Sequence, residues 1–194
     1  MKPHEAIQRL LEGNRRYASN TSSADRSGRR RREVAKGQTP FAGILTCADS
    51  RVPPEIIFDQ GLGDLFAVRT AGPILDKSVL GSLKFGVIEL HIPVLLVLGH
   101  TRCGAVKATL EALEGHFNAD EDIIYVMDAL KPVIEKARPL EGDLWNNAAL
   151  VNVKMIVEQL IHSPLFSSAI KSRTLEIVAG FYDLDTGIVE IVNE

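Results

Sequence analysis

Cysteine is nearly absent from this chain of 194 residues: only Cys47 and Cys103 occur. Two residues cannot build the disulfide framework of a small exported fold, so what they do must be sought in packing, redox or metal chemistry. Long apolar runs are missing too. The longest is interrupted well short of the roughly 18 residues that a membrane-spanning helix needs. Behind Met1-Lys2-Pro3-His4-Glu5 there is no apolar signal core. We expect no membrane partner and a cytoplasmic location. Charge of one sign is not in excess either: the formal net charge is -3, which gives no reason to expect nucleic acid as a partner. The chain has no internal repeat and no low-complexity segment. Its Gly-x-Gly turn, Gly61-Leu62-Gly63, precedes a strand instead of opening a helix and lacks a Walker lysine, which excludes a phosphate-binding loop.

What is present suits one globular domain over 1–194, with 45% hydrophobic and 24% charged residues. Short apolar runs at 41–46, 65–70, 94–99, 176–182 and 188–192 read as strands. Helical spacing covers 4–18, 78–90, the stretch after Cys103, 121–137 and 143–161, and Pro53-Pro54 opens a short helix. Strands separated by helices predict an α/β fold: a mainly parallel sheet of four strands, a C-terminal hairpin adding an antiparallel edge strand, and flanking helices. Residues 1–37 read as an N-terminal helical arm and basic loop, and 38–194 as the α/β core. Gly13 and Asn14 weaken the first helix, which has little domain of its own to lie against and is expected on a partner subunit. Arg29-Arg30-Arg31-Arg32 reads as the solvated start of a short helix, since no aromatic residue interleaves it.

Both cysteines end predicted strands. Cys47 opens Cys47-Ala48-Asp49-Ser50-Arg51; if the backbone stays extended there, Cys47, Asp49 and Arg51 share one side. Cys103 closes His100-Thr101-Arg102-Cys103 and sits near a helix amino terminus, where the dipole favours a thiolate. The plain alternative is a pair of small buried hydrophobes, or a disulfide if the protein is exported. Against it, each cysteine has a polar companion at ligand-like spacing. Two thiolates and an imidazole suit one zinc ion per chain and leave a fourth position open, the catalytic arrangement. Such a site is formally neutral and acidifies water weakly, so Asp49, kept ionised by Arg51, would help by accepting a hydrogen bond from zinc hydroxide. Alternatively Asp49 is itself the fourth ligand, in a closed state that Arg51 opens. His4, His91, His116 and His162 read as surface residues.

With these motifs on the page, the chain resembles the β-class carbonic anhydrases from about Gln38 to Val192. The resemblance rests on Cys-x-Asp-Ser-Arg and His-x-x-Cys-Gly, 53 residues apart, and on the ending Ala179-Gly180-Phe181-Tyr182-Asp183. It implies zinc on Cys47, His100 and Cys103, an Asp49-Arg51 dyad, and reversible hydration of carbon dioxide to bicarbonate and a proton. It also implies substrate contacts from Gln38, from Phe66 across a dimer interface, and from the Gly104 amide. The implied assembly is a homodimer or tetramer through an exchanged N-terminal arm and a sheet edge. The positions of a second, regulatory bicarbonate site look like Ile44, Arg69 and Phe85, of which only the arginine matches, so that site is expected to be absent or much weakened. Two rivals remain open: related zinc chemistry on carbon disulfide or carbonyl sulfide, and a non-enzymatic redox or metal-sensing cysteine pair.

Overall fold

The computed structural model describes residues 1–192 and forms one sheet from β1 (Ala42–Cys47), β2 (Leu65–Thr70), β3 (Val94–His100), β4 (Glu176–Tyr182) and β5 (Val189–Ile191). Their order across the sheet is β2-β1-β3-β4-β5; the first four are parallel and β5 is antiparallel to β4. The chain leaves β1 toward one side for β2 and returns past it for β3. The strand order therefore reverses between β1 and β3, the place where open sheets of this kind carry their crevice. The expected four parallel strands and antiparallel edge strand are all found.

Period-two alternation divides the strand residues between two cores. Ile44, Leu96 and Leu98 pack with Ala6 and Leu10 of α1 (Pro3–Ala18) and Ile57 of α3 (Pro54–Ile57). Leu45, Leu95 and Val97 face Leu83 of α4 (Lys77–Ile88) and Val153, Ile156 and Leu160 of α7 (Leu144–His162). Both strands are buried along their whole length because helices cover both faces, which is why they read as continuous apolar runs. A third cluster surrounds the two cysteines with residues of α5 (Gly104–Leu113), α6 (Glu121–Ala137) and α7. Aspartates cap these helices: Asp76 accepts the Val79 amide, Asp120 that of Ile123, and Asp143 that of Asn146.

Helix α1 corrects one expectation. It does not lack a seat on its own domain: Ala6 and Leu10 are buried, and a Cβ at Gly13 would lie on the Phe58 carbonyl, so only glycine permits this approach. Asn14, 2% exposed, donates to the carbonyls of Ile57 (3.2 Å) and Gly187 (2.9 Å) and accepts the Val189 amide (2.8 Å). The two residues that weaken the helical pattern are those that dock the helix. The arginine run starts α2 (Gly28–Val34), where no residue is buried, as the solvated reading anticipates. The preceding loop is tied to Asp59, which is fully enclosed and takes the Ser23 and Ala24 amides and Arg16. A short helix α8 (Ser167–Lys171) has no counterpart in the sequence reading. Among the described residues no helix is long and apolar enough to cross a membrane.

Candidate metal centre

Cys47 is the last residue of β1, His100 the last of β3, and Cys103 the N-cap of α5. Because β1 and β3 are adjacent, two sequence-distant motifs meet at one crevice. The sulfurs lie 4.0 Å apart, and both sulfurs and a His100 ring nitrogen fall within 4.8 Å of one another. Tetrahedral zinc with bonds of about 2.3 Å to each sulfur requires roughly 3.8 Å between them, so the spacing fits.

The histidine is oriented for the same task. Its Nδ1 lies 2.9 Å from the Thr101 carbonyl, an acceptor only, so that nitrogen carries the proton and Nε2 presents a lone pair. His100 is fully buried, and Nε2 is a buried side-chain atom without a hydrogen-bond partner. An enclosed acceptor left unpaired costs stability unless something else fills its lone pair. A cation between it and the sulfurs would.

The Cys47 sulfur receives the Cys103 thiol and the amides of Asp49 and Gly72, each amide at 3.4 Å. The Cys103 contact is foremost in lowering the Cys47 pKa to about 4, assisted by the two amides and opposed by burial. Cys103 moves the opposite way, because it is the member of the pair that keeps the proton and because it is buried. Two sulfurs this close release their first proton easily and their second with difficulty, unless a cation joins them. Gly72, just past the end of β2, is not among the site residues expected from the sequence. Its φ of 67° and a gap of 3.0 Å to the Ala105 methyl leave no room for a side chain where its amide reaches the sulfur.

Asp49 and Arg51 pair as expected, though not by strand alternation. The strand stops at Cys47, and the chain turns, with the Val52 amide on the Asp49 carbonyl at 3.0 Å. Arg51 donates through Nε (3.0 Å) and Nη2 (2.7 Å) to the two carboxylate oxygens, and its own amide donates at 2.9 Å. Its guanidinium is the main cause that lowers the Asp49 pKa to about 2, so the carboxylate is ionised at neutral pH. Arg69 of β2, missed as a structural element, holds this loop from beneath: it donates to the carbonyls of Cys47 (3.0 Å) and Asp49 (2.7 Å).

The substrate-contact candidates are placed differently. Gly104 opens α5 beside Cys103, with no heavy atom within 4 Å of where a Cβ would sit. Gln38 is exposed and precedes the amino end of β1, whereas the cysteine lies at its carboxyl end. Phe66 pairs in register with Gly43, four residues before the level of Cys47, or about 13 Å along the strand. Neither Gln38 nor Phe66 reaches the metal cluster of its own chain. Phe66 instead stacks on Phe85 with centroids 6.4 Å apart. His4, His91, His116 and His162 are exposed, as expected.

Comparison with known proteins agrees with this geometry. Residues 42–189 match the family model described as carbonic anhydrase. A carbonic anhydrase 2 of Mycobacterium tuberculosis is 41% identical over 196 residues, covering 95% of this chain and 90% of its own. A carbonic anhydrase of Mycolicibacterium smegmatis is 37% identical over 191 residues, covering 97% and 93%. The solved structure of a Coccomyxa β-carbonic anhydrase in complex with acetazolamide superposes with a TM-score of 0.75 at 29% identity, covering 95% of this chain and 85% of that one.

Proposed function

The chain belongs to the β-class carbonic anhydrase family, and on that premise we propose that it binds one zinc ion through Cys47, His100 and Cys103 to hydrate carbon dioxide reversibly to bicarbonate. The observation that carries the zinc reading is the buried, unpartnered His100 Nε2 beside two sulfurs 4.0 Å apart. Zinc would supply a Lewis acid that lowers the pKa of bound water.

The protein's own groups do the rest. Asp49, kept ionised by Arg51, is an acceptor that can take a hydrogen bond from, and thereby aim, an attacking oxygen. Arg51 fixes the carboxylate in a forked grip, so the dyad arrives preorganised instead of being assembled during turnover. For Asp49 to become a fourth ligand it would have to give up those two bonds and the Arg51 amide. That supports the open arrangement as the resting one. Arg69 keeps Cys47 and Asp49 in register with each other. The Gly104 amide, at the start of α5 beside Cys103, would steady the negative charge that develops on bicarbonate.

Gln38 and Phe66 support an oligomer, because they would line the centre of a second copy and not their own. The surface for that copy is the free edge of β2, where Ala67 is exposed, flanked by Phe85 and Ile88 at 49% and 45% exposure. Exchange of α1 is not part of this proposal, given its seat on its own chain. Two unpaired thiols fit a reducing cytoplasm. A regulatory bicarbonate site is proposed to be absent: Ile44 is buried, Phe85 is stacked on Phe66, and Arg69 is occupied by backbone carbonyls.

Stopped-flow hydration of carbon dioxide by zinc-replete protein tests this directly. We expect turnover that scales with zinc content. Protein holding one zinc per chain yet inactive from pH 7 to 9 would overturn the reading, and bicarbonate bound between Arg69 and Phe85 in a soaked crystal would overturn the absence of regulation.

A further inference from the structure

The turn that links the ligands His100 and Cys103 contains a residue in an unfavourable conformation. Arg102 has φ 55°, in the left-handed region that side chains other than those of glycine, asparagine and aspartate seldom adopt. Only Thr101 and Arg102 separate the two ligands, so relaxation of this one residue would redirect the Cys103 side chain away from His100. Two groups on the first turn of α7 prevent it. The Arg102 amide donates to Asn146 Oδ1 at 2.8 Å, and Trp145 Nε1 donates to the Cys103 carbonyl at 2.6 Å. Their own place is fixed in turn, because Asp143 caps the Asn146 amide at 3.0 Å. On the opposite side the Leu184 amide donates to Thr101 Oγ1 at 3.0 Å, and Arg102 forks onto Asp185 at 2.8 and 3.0 Å.

We propose that Trp145 and Asn146 are positioning residues for the metal centre: from the start of α7 they hold the left-handed turn that sets the Cys103 sulfur against the His100 imidazole. Neither belongs to the motifs that carry the ligands, and neither touches a sulfur or the imidazole in the bonds described. The inference rests on the reading that Cys47, His100 and Cys103 hold zinc. The forked Arg102–Asp185 pair is largely exposed and contributes less to the turn than the two bonds from α7.

The test is metal affinity and ligand geometry, not turnover. Zinc binding is measured by competition with a fluorescent chelator, and the site is read through the absorption bands of cobalt(II)-substituted protein. Asn146→Leu should weaken zinc binding about 10- to 100-fold and shift the cobalt bands, as loss of a residue supporting a ligand does. Asn146→Asp keeps an acceptor oxygen for the Arg102 amide and should bind as the wild type does. Arg102→Gly placed on Asn146→Leu should restore affinity, because glycine holds a positive φ without support. A leucine variant with wild-type affinity and cobalt spectrum, or an aspartate variant as weak as the leucine one, would overturn the proposal. If Asn146→Leu does not fold, Trp145→Phe, which keeps a ring but loses the indole donor, takes its place with the same expectations. Wild-type protein that bound no zinc would overturn the reading of the centre and this inference with it; tight wild-type binding with indifferent variants would overturn this inference alone.

Discussion

Replacing Asn14 by alanine isolates the contact that seats the first helix. The side chain makes three hydrogen bonds, to Ile57, Gly187 and Val189, at 2% exposure. At about 1 kcal/mol net each, their loss costs roughly 3 kcal/mol. Alanine is the better helix former by about 0.5 kcal/mol, so the expected net loss is about 2.5 kcal/mol. For a chain of this length that corresponds to a fall in Tm of about 5–10 °C. Urea denaturation at a fixed protein concentration, so that any assembly contributes equally, should show a lower midpoint with an unchanged slope. Metal affinity should change little, since Asn14 bonds no ligand and its link to His100 runs indirectly across the sheet through Val189 and Tyr182. A loss below about 1 kcal/mol would refute the argument, because it would mean that these three groups find water or other partners when the amide is removed.

The remaining expectations concern the centre and the loop latch. Cys47→Ser and His100→Ala should lose zinc on dialysis, whereas Asp49→Ala should keep it and lose turnover by about 100-fold or more, the usual contribution of a positioned acid or base; full activity in the Asp49 variant would refute the dyad. Asp59 has its pKa pushed up by burial, but the Ser23 and Ala24 amides and Arg16 outweigh that and lower it overall. A carboxyl held below its unfolded value stabilises the fold above that unfolded value, about pH 4, and the contribution is lost as pH falls through the folded value. Asp59→Asn should therefore be less stable than wild type at pH 7, with the difference shrinking below about pH 4 in thermal unfolding; a constant difference from pH 7 to 2.5 would count against the latch.

How far the sequence could be read depended on whether a residue's role is local. The runs that became β1 and β3 announce themselves because burial on both faces leaves no polar position, and ligands at their ends follow from the chain itself. The pairing of Asp49 with Arg51 was also legible, but the cause was not: an extended strand and a tight turn can both bring residues i and i+2 together. Gly13 and Asn14 misled because helix propensity scores a residue against its own helix and not against the Phe58 carbonyl that it meets. The support given by Arg69, Gly72, Trp145 and Asn146 was invisible for a related reason. Each acts on a ligand loop at least 20 positions away through a backbone atom, and backbone atoms leave no signature in a sequence. Gln38 and Phe66 carry no mark of which end of the sheet they will occupy until the register is known.

The bond between Asn14 and Val189 spans 175 positions and joins the first helix to the last strand. On a ribosome adding roughly 5–20 residues per second, some 9–35 s pass between the emergence of the two partners. Leu10 can meet Ile44, Ile57 and Leu98 by the midpoint of synthesis, but the Asn14 oxygen waits for the Val189 amide until β5 has emerged. The helix made early is thus covered early and locked late, and the final strand acts as its clasp.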